Sequence, residues 1–220
     1  MLSPEELFAD FDPAEVQRLM HAAAADRSAK GRAQAIRRSN RHHLRRATAE
    51  ATLADILPPR FAPGDTWHCI SRGDVDALSY LRHAIAGVPA FDQVLISTWC
   101  IARNDLEELA AWLDSGRIDH LHLCAGEIFP SQYGDEYEMA LRLQAEYGCA
   151  LTIARNHSKV ICAGSAAASS WLVMEGSANV NTNPRIEQTS ITNDRALFDF
   201  YLEFYRGIRS IDRDRPRLAS

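Results

Sequence analysis

Five polar residues whose side chains could act together on a phosphate ester lie close to one another in the chain. His157 and Lys159 flank a single residue, Ser177 and Asn179 follow a glycine, and Glu187 comes next. An imidazole can attack phosphorus and so split one difficult substitution into two easier steps. A Lys ammonium and an Asn amide can bind the oxygens on which charge accumulates, and a carboxylate can orient the imidazole. The set predicts a phosphodiester-cleaving site that needs no metal ion.

The first two of these residues fall inside a predicted strand. Residues 151–163 are rich in β-branched and apolar side chains on both sides of the His157 and Lys159 positions, a composition typical of strands. Because residues i and i+2 of a strand point to the same face, we expect His157 and Lys159 to project side by side.

A second predicted strand carries the next group. Residues 171–176 are mostly apolar and lead into Ser177 and Asn179, which share a face by the same parity, while residues 165–170 are small and suit a turn. Glu187 is expected in the loop that follows. If the two strands pair, all of these polar side chains converge on one patch.

At these positions the chain resembles the phospholipase D superfamily. The family pattern is His-x-Lys, an Asp after four further residues, then Gly-Ser-x-Asn and a downstream acidic residue. His157-Ser158-Lys159, Gly176-Ser177-Ala178-Asn179 and Glu187 match this order, whereas Gly164 occupies the Asp position and the two motifs are further apart than usual. The resemblance covers residues 61–220 and implies an α/β fold in which helices flank a mixed β-sheet.

The resemblance also implies roles for the matched residues. His157 becomes the nucleophile that forms a phosphohistidine, or the general acid; Lys159 and Asn179 hold the phosphate, Ser177 assists, and Glu187 orients His157. It implies neither a metal nor a cofactor. The family site uses two His-x-Lys motifs and this chain has one, so the resemblance implies a homodimer in which two copies of His157 meet at one phosphate.

The segment from residue 26 to residue 60 is strongly basic within an otherwise acidic chain. It carries nine basic and three acidic residues, a net charge of +6, which leaves −11 for the remaining residues. On a helix, Arg37, Arg41 and Arg45 form a stripe with Arg38 beside it. Guanidinium groups bind phosphate oxygens well, which favours contact with a nucleic-acid backbone. A solvated helix face and a dimer contact are the alternatives.

The hydrophobic pattern divides the chain near residue 60. Residues 1–60 predict a helical, Arg-rich N-terminal extension that ends at Pro58-Pro59. Residues 61–220 predict the phospholipase D-like domain. Before the site strands, the pattern of that domain alternates between strands at 66–71, 93–101 and 118–124 and helices at 74–86, 105–115 and 135–147, and Asn193-Asp194 begins a last helix.

Composition narrows the function classes. Hydrophobic residues make up 46% and charged residues 24%, which is ordinary for a packed core, and no apolar run is long enough to cross a membrane. The N-terminus lacks the features of a signal peptide. Cys69, Cys100, Cys124 and Cys162 lie in apolar runs, which favours buried free thiols and a cytoplasmic location.

The function predicted from these observations is a nuclease that cleaves DNA or RNA. Two alternatives stay open. One is a non-catalytic nucleic-acid-binding protein with a degenerate site, which Gly164 in place of Asp would fit, and the other is a phospholipid phosphodiesterase. A weaker possibility is a zinc site, since His120, His122 and Cys124 share one face of a predicted strand.

Overall fold

The computed structural model of the protein describes Ala14, residues 41–181 and residues 185–212. Six helices lie in this part of the chain: α1 (Arg41–Ile56), α2 (Ala77–Gly87), α3 (Arg103–Asp114), α4 (Phe129–Gln132), α5 (Gly134–Tyr147) and α6 (Arg195–Arg206). The strands of the same part are β1 (Thr66–Ser71), β2 (Gln93–Ser97), β3 (Leu121–Gly126), β4 (Ala150–Ala154), β5 (Val160–Ser165), β6 (Ser170–Gly176) and β7 (Glu187–Asn193).

The seven strands form one mixed sheet in the order β1-β7-β6-β5-β2-β3-β4. Strands β2, β3 and β4 are parallel to one another, and the remaining neighbours pair antiparallel. The carboxyl ends of the three parallel strands lie side by side, and β5 begins next to them, where Val160 pairs with Ser97. The predicted α/β class, a mixed sheet flanked by helices, is confirmed.

Both faces of the sheet are covered, so its central strands are apolar on both sides. In β2, Val94 and Ile96 point into a core shared with helices α1 to α5, while Leu95 points to the other face and packs with Phe198 of α6. Successive strand residues alternate between the faces, which accounts for this division. Among the described helices, α6 is therefore the only one that packs on this second face of the sheet.

The long strand predicted over residues 151–163 is wrong. It is two strands, β4 at the edge of the sheet and β5 near its centre, joined by residues 155–159, which we call the crossover loop. Two strands separate β4 from β5, so the loop spans three inter-strand spacings, or about 14 Å. It runs over the carboxyl ends of β3 and β2. The predicted hairpin between β5 and β6 is confirmed.

Glu187 does not lie in a loop as predicted, because it is the first residue of β7, a strand that the sequence did not indicate. The short helix α4 was also missed. Strand β2 ends at Ser97 rather than at residue 101, and β3 begins at Leu121. Helix α5 ends where expected, at Gly148, whose φ of +68° is the left-handed conformation that favours glycine.

Helix α1 packs into the same core as the rest of the described chain, since Ala49 and Leu53 are almost fully buried there. The helix ends before Pro58-Pro59, as predicted. The division into an extension and a domain at residue 60 stays a prediction. All five cysteines are buried and free, and within residues 41–181 and 185–212 no helix has both the length and the apolar character needed to cross a bilayer.

Candidate active site

The crossover loop brings His157 and Lys159 together at the carboxyl ends of the parallel strands. His157 is exposed, and its Nδ1 lies 3.1 Å from Lys159 Nζ. The two side chains are neighbours because of the loop conformation, not because of strand parity. The Trp99 ring, which follows β2, meets the His157 ring edge-on with 5.6 Å between the centroids.

Lys159 sits at the junction of the loop with the sheet. Its carbonyl oxygen accepts a hydrogen bond from the Gly176 amide at 3.0 Å, at the start of the Gly-Ser-x-Asn motif. Desolvation lowers the pKa of the Lys159 ammonium, while electrostatic interactions with Cys100 and Glu187 act in the opposite sense. The ammonium therefore lies within electrostatic reach of the Glu187 carboxylate. A small cleft beside it is lined by Gly176, Ala178 and Thr189.

Ser177 and Glu187 face each other across the β6–β7 pair. Ser177 Oγ donates a hydrogen bond to Glu187 Oε2 and accepts one from the Gln188 amide at 3.1 Å. Glu187 is 9% exposed, whereas Ser177 lies at the surface. The buried Glu187 side chain is thus bonded to Ser177 and interacts electrostatically with Lys159.

Asn179 is held by the segment that follows β2. Its Oδ1 accepts a hydrogen bond from the Trp99 amide at 3.3 Å, and the Thr98 hydroxyl lies 3.5 Å away. The next residue, Val180, donates its amide to Thr98 Oγ1 at 3.0 Å. With Oδ1 engaged, the capacity of Asn179 to bind an anion lies in its Nδ2 hydrogens.

Thr98 and Trp99 are site residues that the sequence reasoning missed. One signal could have found them, because Ser97-Thr98-Trp99 follows directly on the buried strand β2. Residues just beyond the carboxyl ends of parallel strands are where α/β sheets place their ligand sites.

The structure accounts for Gly164 at the position of the family Asp. A Cβ atom added there lies 2.6 Å from Phe198 Cζ and 2.9 Å from two ring atoms of Trp171. Arg195 stacks on the Trp171 ring, 3.8 Å from its centroid. Aromatic packing between β6 and α6 thus occupies the space that an Asp side chain requires.

Two of the four arginines of the predicted stripe belong to the described part of the chain. Arg37 and Arg38 fall outside the described residues. Arg41 and Arg45 belong to α1, where their spacing places them one turn apart. Their proposed contact with nucleic acid stays a prediction.

The structure does not support the zinc alternative. His120 lies before β3, and the buried His122 ring bonds Thr152 Oγ1 at 2.9 Å. Among the described residues no group of three His, Cys, Asp or Glu side chains is arranged to hold a metal ion.

Taken together, the site combines an imidazole, an ammonium, an amide and a hydroxyl–carboxylate pair at one edge of the sheet. His157 contacts Lys159 and Trp99, and Trp99 in turn holds Asn179. Such an arrangement can bind an anion through its donors and move a proton at the imidazole.

No protein-family model matches the sequence, and no curated protein matches it either. Among solved structures, the chain is similar to an archaeal chromatin protein, TrmBL2, described as showing a novel mode of DNA binding (TM-score 0.48, 10% identity, 95% of this chain and 70% of that one). It is also similar to the polyphosphate kinase of Porphyromonas gingivalis (0.47, 16%, 71% and 27%). A third similar structure is the phosphatidylserine synthase of Haemophilus influenzae Rd KW20 (0.48, 10%, 64% and 37%).

The chain thus spans well under half the length of the kinase and of the synthase. Similarity at this level assigns neither a family nor an activity to this protein.

Proposed function

We propose that the protein is a phosphodiesterase of the phospholipase D type, and specifically a nuclease that cleaves DNA or RNA through a phosphohistidine. The observation that carries the proposal is the 3.1 Å contact between His157 Nδ1 and Lys159 Nζ, in which His157 is exposed and Lys159 interacts electrostatically with Glu187. This contact supports the proposal because one phosphate group could meet both the imidazole and the ammonium.

In the proposed reaction, His157 Nε2 attacks phosphorus, and the bond from phosphorus to the leaving oxygen breaks. His157 of a second copy protonates that oxygen. Water, deprotonated by the second imidazole, then attacks the phosphohistidine and breaks the P–N bond, which restores both side chains. Lys159 and the Asn179 amide bind the non-bridging oxygens, on which negative charge increases in the transition state.

In this scheme, substrate binding also decides which ring nitrogen of His157 carries the proton. While Lys159 donates to Nδ1, a neutral imidazole carries its proton on Nε2 and serves as a donor. Nucleophilic attack needs the Nε2 lone pair. A bound phosphate that draws Lys159 onto its own oxygens frees Nδ1 to take the proton, and Glu187 is the proposed acceptor that then orients the ring.

The preference for a nucleic acid rests on the basic segment, with Arg37, Arg38, Arg41 and Arg45 along one predicted helix face. Such a stripe suits a polymer with one phosphate per nucleotide. In the non-catalytic alternative, these arginines bind nucleic acid and the site does no chemistry. In the lipid alternative, the same site hydrolyses a phospholipid headgroup.

The decisive experiment is cleavage of end-labelled single-stranded and double-stranded DNA and RNA in excess EDTA. Wild type is compared with His157→Ala and with His120→Ala, a matched control that removes an exposed imidazole away from the site. We expect wild type and the control to cleave in EDTA and His157→Ala to be inactive. Cleavage by His157→Ala would show that the chemistry lies elsewhere.

Two further assays address the alternatives. Phospholipid vesicles hydrolysed in place of nucleic acids would favour the lipid enzyme. Binding without cleavage, weakened and made less salt-dependent by Arg38→Ala with Arg41→Ala, would favour the binding protein.

The proposed second imidazole makes the active species a homodimer. Sedimentation velocity of the full chain, run at the concentrations of the cleavage assay, tests this directly. We expect a dimer, and an active monomer contradicts the two-copy site.

A further inference from the structure

The side chain of Asn156 holds the crossover loop against the strands that it crosses. Its Nδ2 lies within hydrogen-bonding distance of Ser97 Oγ (3.0 Å) and of the carbonyl oxygens of Thr98 (3.2 Å) and Cys124 (3.0 Å). Its Oδ1 accepts the Ser158 amide at 3.0 Å. One amide side chain therefore ties the loop to the carboxyl ends of both β2 and β3.

Ser158, the middle residue of the His-x-Lys motif, completes this network. Its hydroxyl donates to Asn156 Oδ1 at 2.6 Å and lies 2.7 Å from Ser97 Oγ and 2.6 Å from the Tyr205 hydroxyl. A serine hydroxyl can donate one hydrogen bond and accept two, so these three partners match its full capacity. The network joins β2, the loop and helix α6.

The Tyr205 hydroxyl is itself held in place by a buried ring. Tyr205 is 4% exposed, stacks on Tyr201 with 6.4 Å between the ring centroids and meets Phe204 edge-on at 5.3 Å. A ring packed in this way loses little further freedom when its hydroxyl forms a hydrogen bond. Helix α6 thus presents a fixed donor to the loop.

We propose that Ser158 and Tyr205 are positioning residues for His157 and Lys159, an inference that rests on the proposed phosphodiesterase function. The Ser158 side chain is held inward against Ser97 and Tyr205, while His157 on one side of it is exposed and Lys159 on the other is partly buried. The imidazole and the ammonium then have a fixed separation. A displacement of about 1 Å at a reacting group can cost about 100-fold in rate, so this anchoring sets turnover.

The test compares Tyr205→Phe with Tyr201→Phe. Each variant removes one hydroxyl and keeps its ring, one turn apart on α6, but the Tyr201 hydroxyl donates to Glu175 instead of to the loop. With bis(p-nitrophenyl) phosphate as substrate, we expect Tyr205→Phe and Ser158→Ala to lower kcat by about 10- to 100-fold with KM nearly unchanged. Tyr201→Phe is expected to retain wild-type kcat.

Hydrogen exchange of the Ser158 amide provides a readout that does not need activity. We expect faster exchange in Tyr205→Phe than in wild type or Tyr201→Phe, because the loop loses one of its anchors. Wild-type kcat together with wild-type exchange in Tyr205→Phe overturns the proposal. If the wild-type protein cleaves neither this diester nor nucleic acids, the phosphodiesterase proposal fails, and the exchange rates alone decide whether Tyr205 anchors the loop.

Discussion

Replacing Gly164 with Asp restores the residue that the phospholipase D pattern has at this position, yet we expect it to destabilise the protein. An added Cβ lies 2.6 Å from Phe198 Cζ and 2.9 Å from the Trp171 ring, and residue 164 lies in β5, between β2 and β6. Overpacking of this kind costs about 1–3 kcal/mol, and Gly164→Ala carries that term alone.

The Asp variant adds the burial of a carboxylate. Desolvation of an unpaired ion costs several kcal/mol more in a protein interior. The free energy of unfolding of an ordinary domain is about 5–15 kcal/mol, so Gly164→Asp is expected to remove much of the stability of the fold. Each kcal/mol lowers the melting temperature of a chain of this length by about 2–4 °C.

Thermal and urea unfolding of wild type, Gly164→Ala and Gly164→Asp measure these costs. Gly134→Ala is the matched control, because a Cβ at that position, the first residue of α5, meets nothing within 4 Å. We expect Gly134→Ala to unfold like wild type, Gly164→Ala several degrees lower and Gly164→Asp lower still. A Gly164→Asp protein with wild-type stability and faster phosphodiester cleavage would refute the packing argument and favour a degenerate site.

Two pH-dependent effects also follow from the structure. Desolvation lowers the pKa of Lys159, and the interaction with Glu187 partly offsets this shift, so Glu187→Gln is expected to move the alkaline limb of the pH–rate profile to lower pH. A limb that stays in place contradicts the coupling. Burial, with the charge of Arg206 second, lowers the pKa of His122. The unfolded chain therefore binds more protons below about pH 6.5, and stability falls as the pH drops through that range. His122→Gln is expected to flatten the dependence of the urea midpoint on pH, and an unchanged slope argues against this origin.

Most of the helices and strands could be predicted because hydrophobic periodicity and helix caps are visible in short stretches of sequence. Strand β1 coincides with the predicted range 66–71, and α6 begins after Asp194, whose side chain accepts the Leu197 amide at 2.8 Å. The break between β4 and β5 has no comparable signal. Apolar residues flank the loop on both sides, and only the order of the strands shows that the chain leaves one edge of the sheet and re-enters near its centre.

Strand β7 escaped prediction for a different reason. Its inward positions include Glu187, Thr189 and Asn193, so the usual alternation of apolar and polar residues is absent. These polar side chains are tolerated inside because they are bonded. Asn193, for example, accepts the Trp171 amide and donates to the Phe61 carbonyl oxygen, both at 2.8 Å. Partners so distant in sequence cannot be read from a local pattern.

The sequence by itself determined which chemical groups are present and in what order: an imidazole, an ammonium, a hydroxyl, an amide and a carboxylate in spacings that resemble a phosphodiesterase. Tertiary structure decided how they meet. It placed His157 and Lys159 on a crossover loop instead of a strand, set Trp99 against the imidazole, and packed Phe198 where the family has a carboxylate. The reason is physical, since these contacts join segments that only the strand order and the two-sided packing of the sheet bring together.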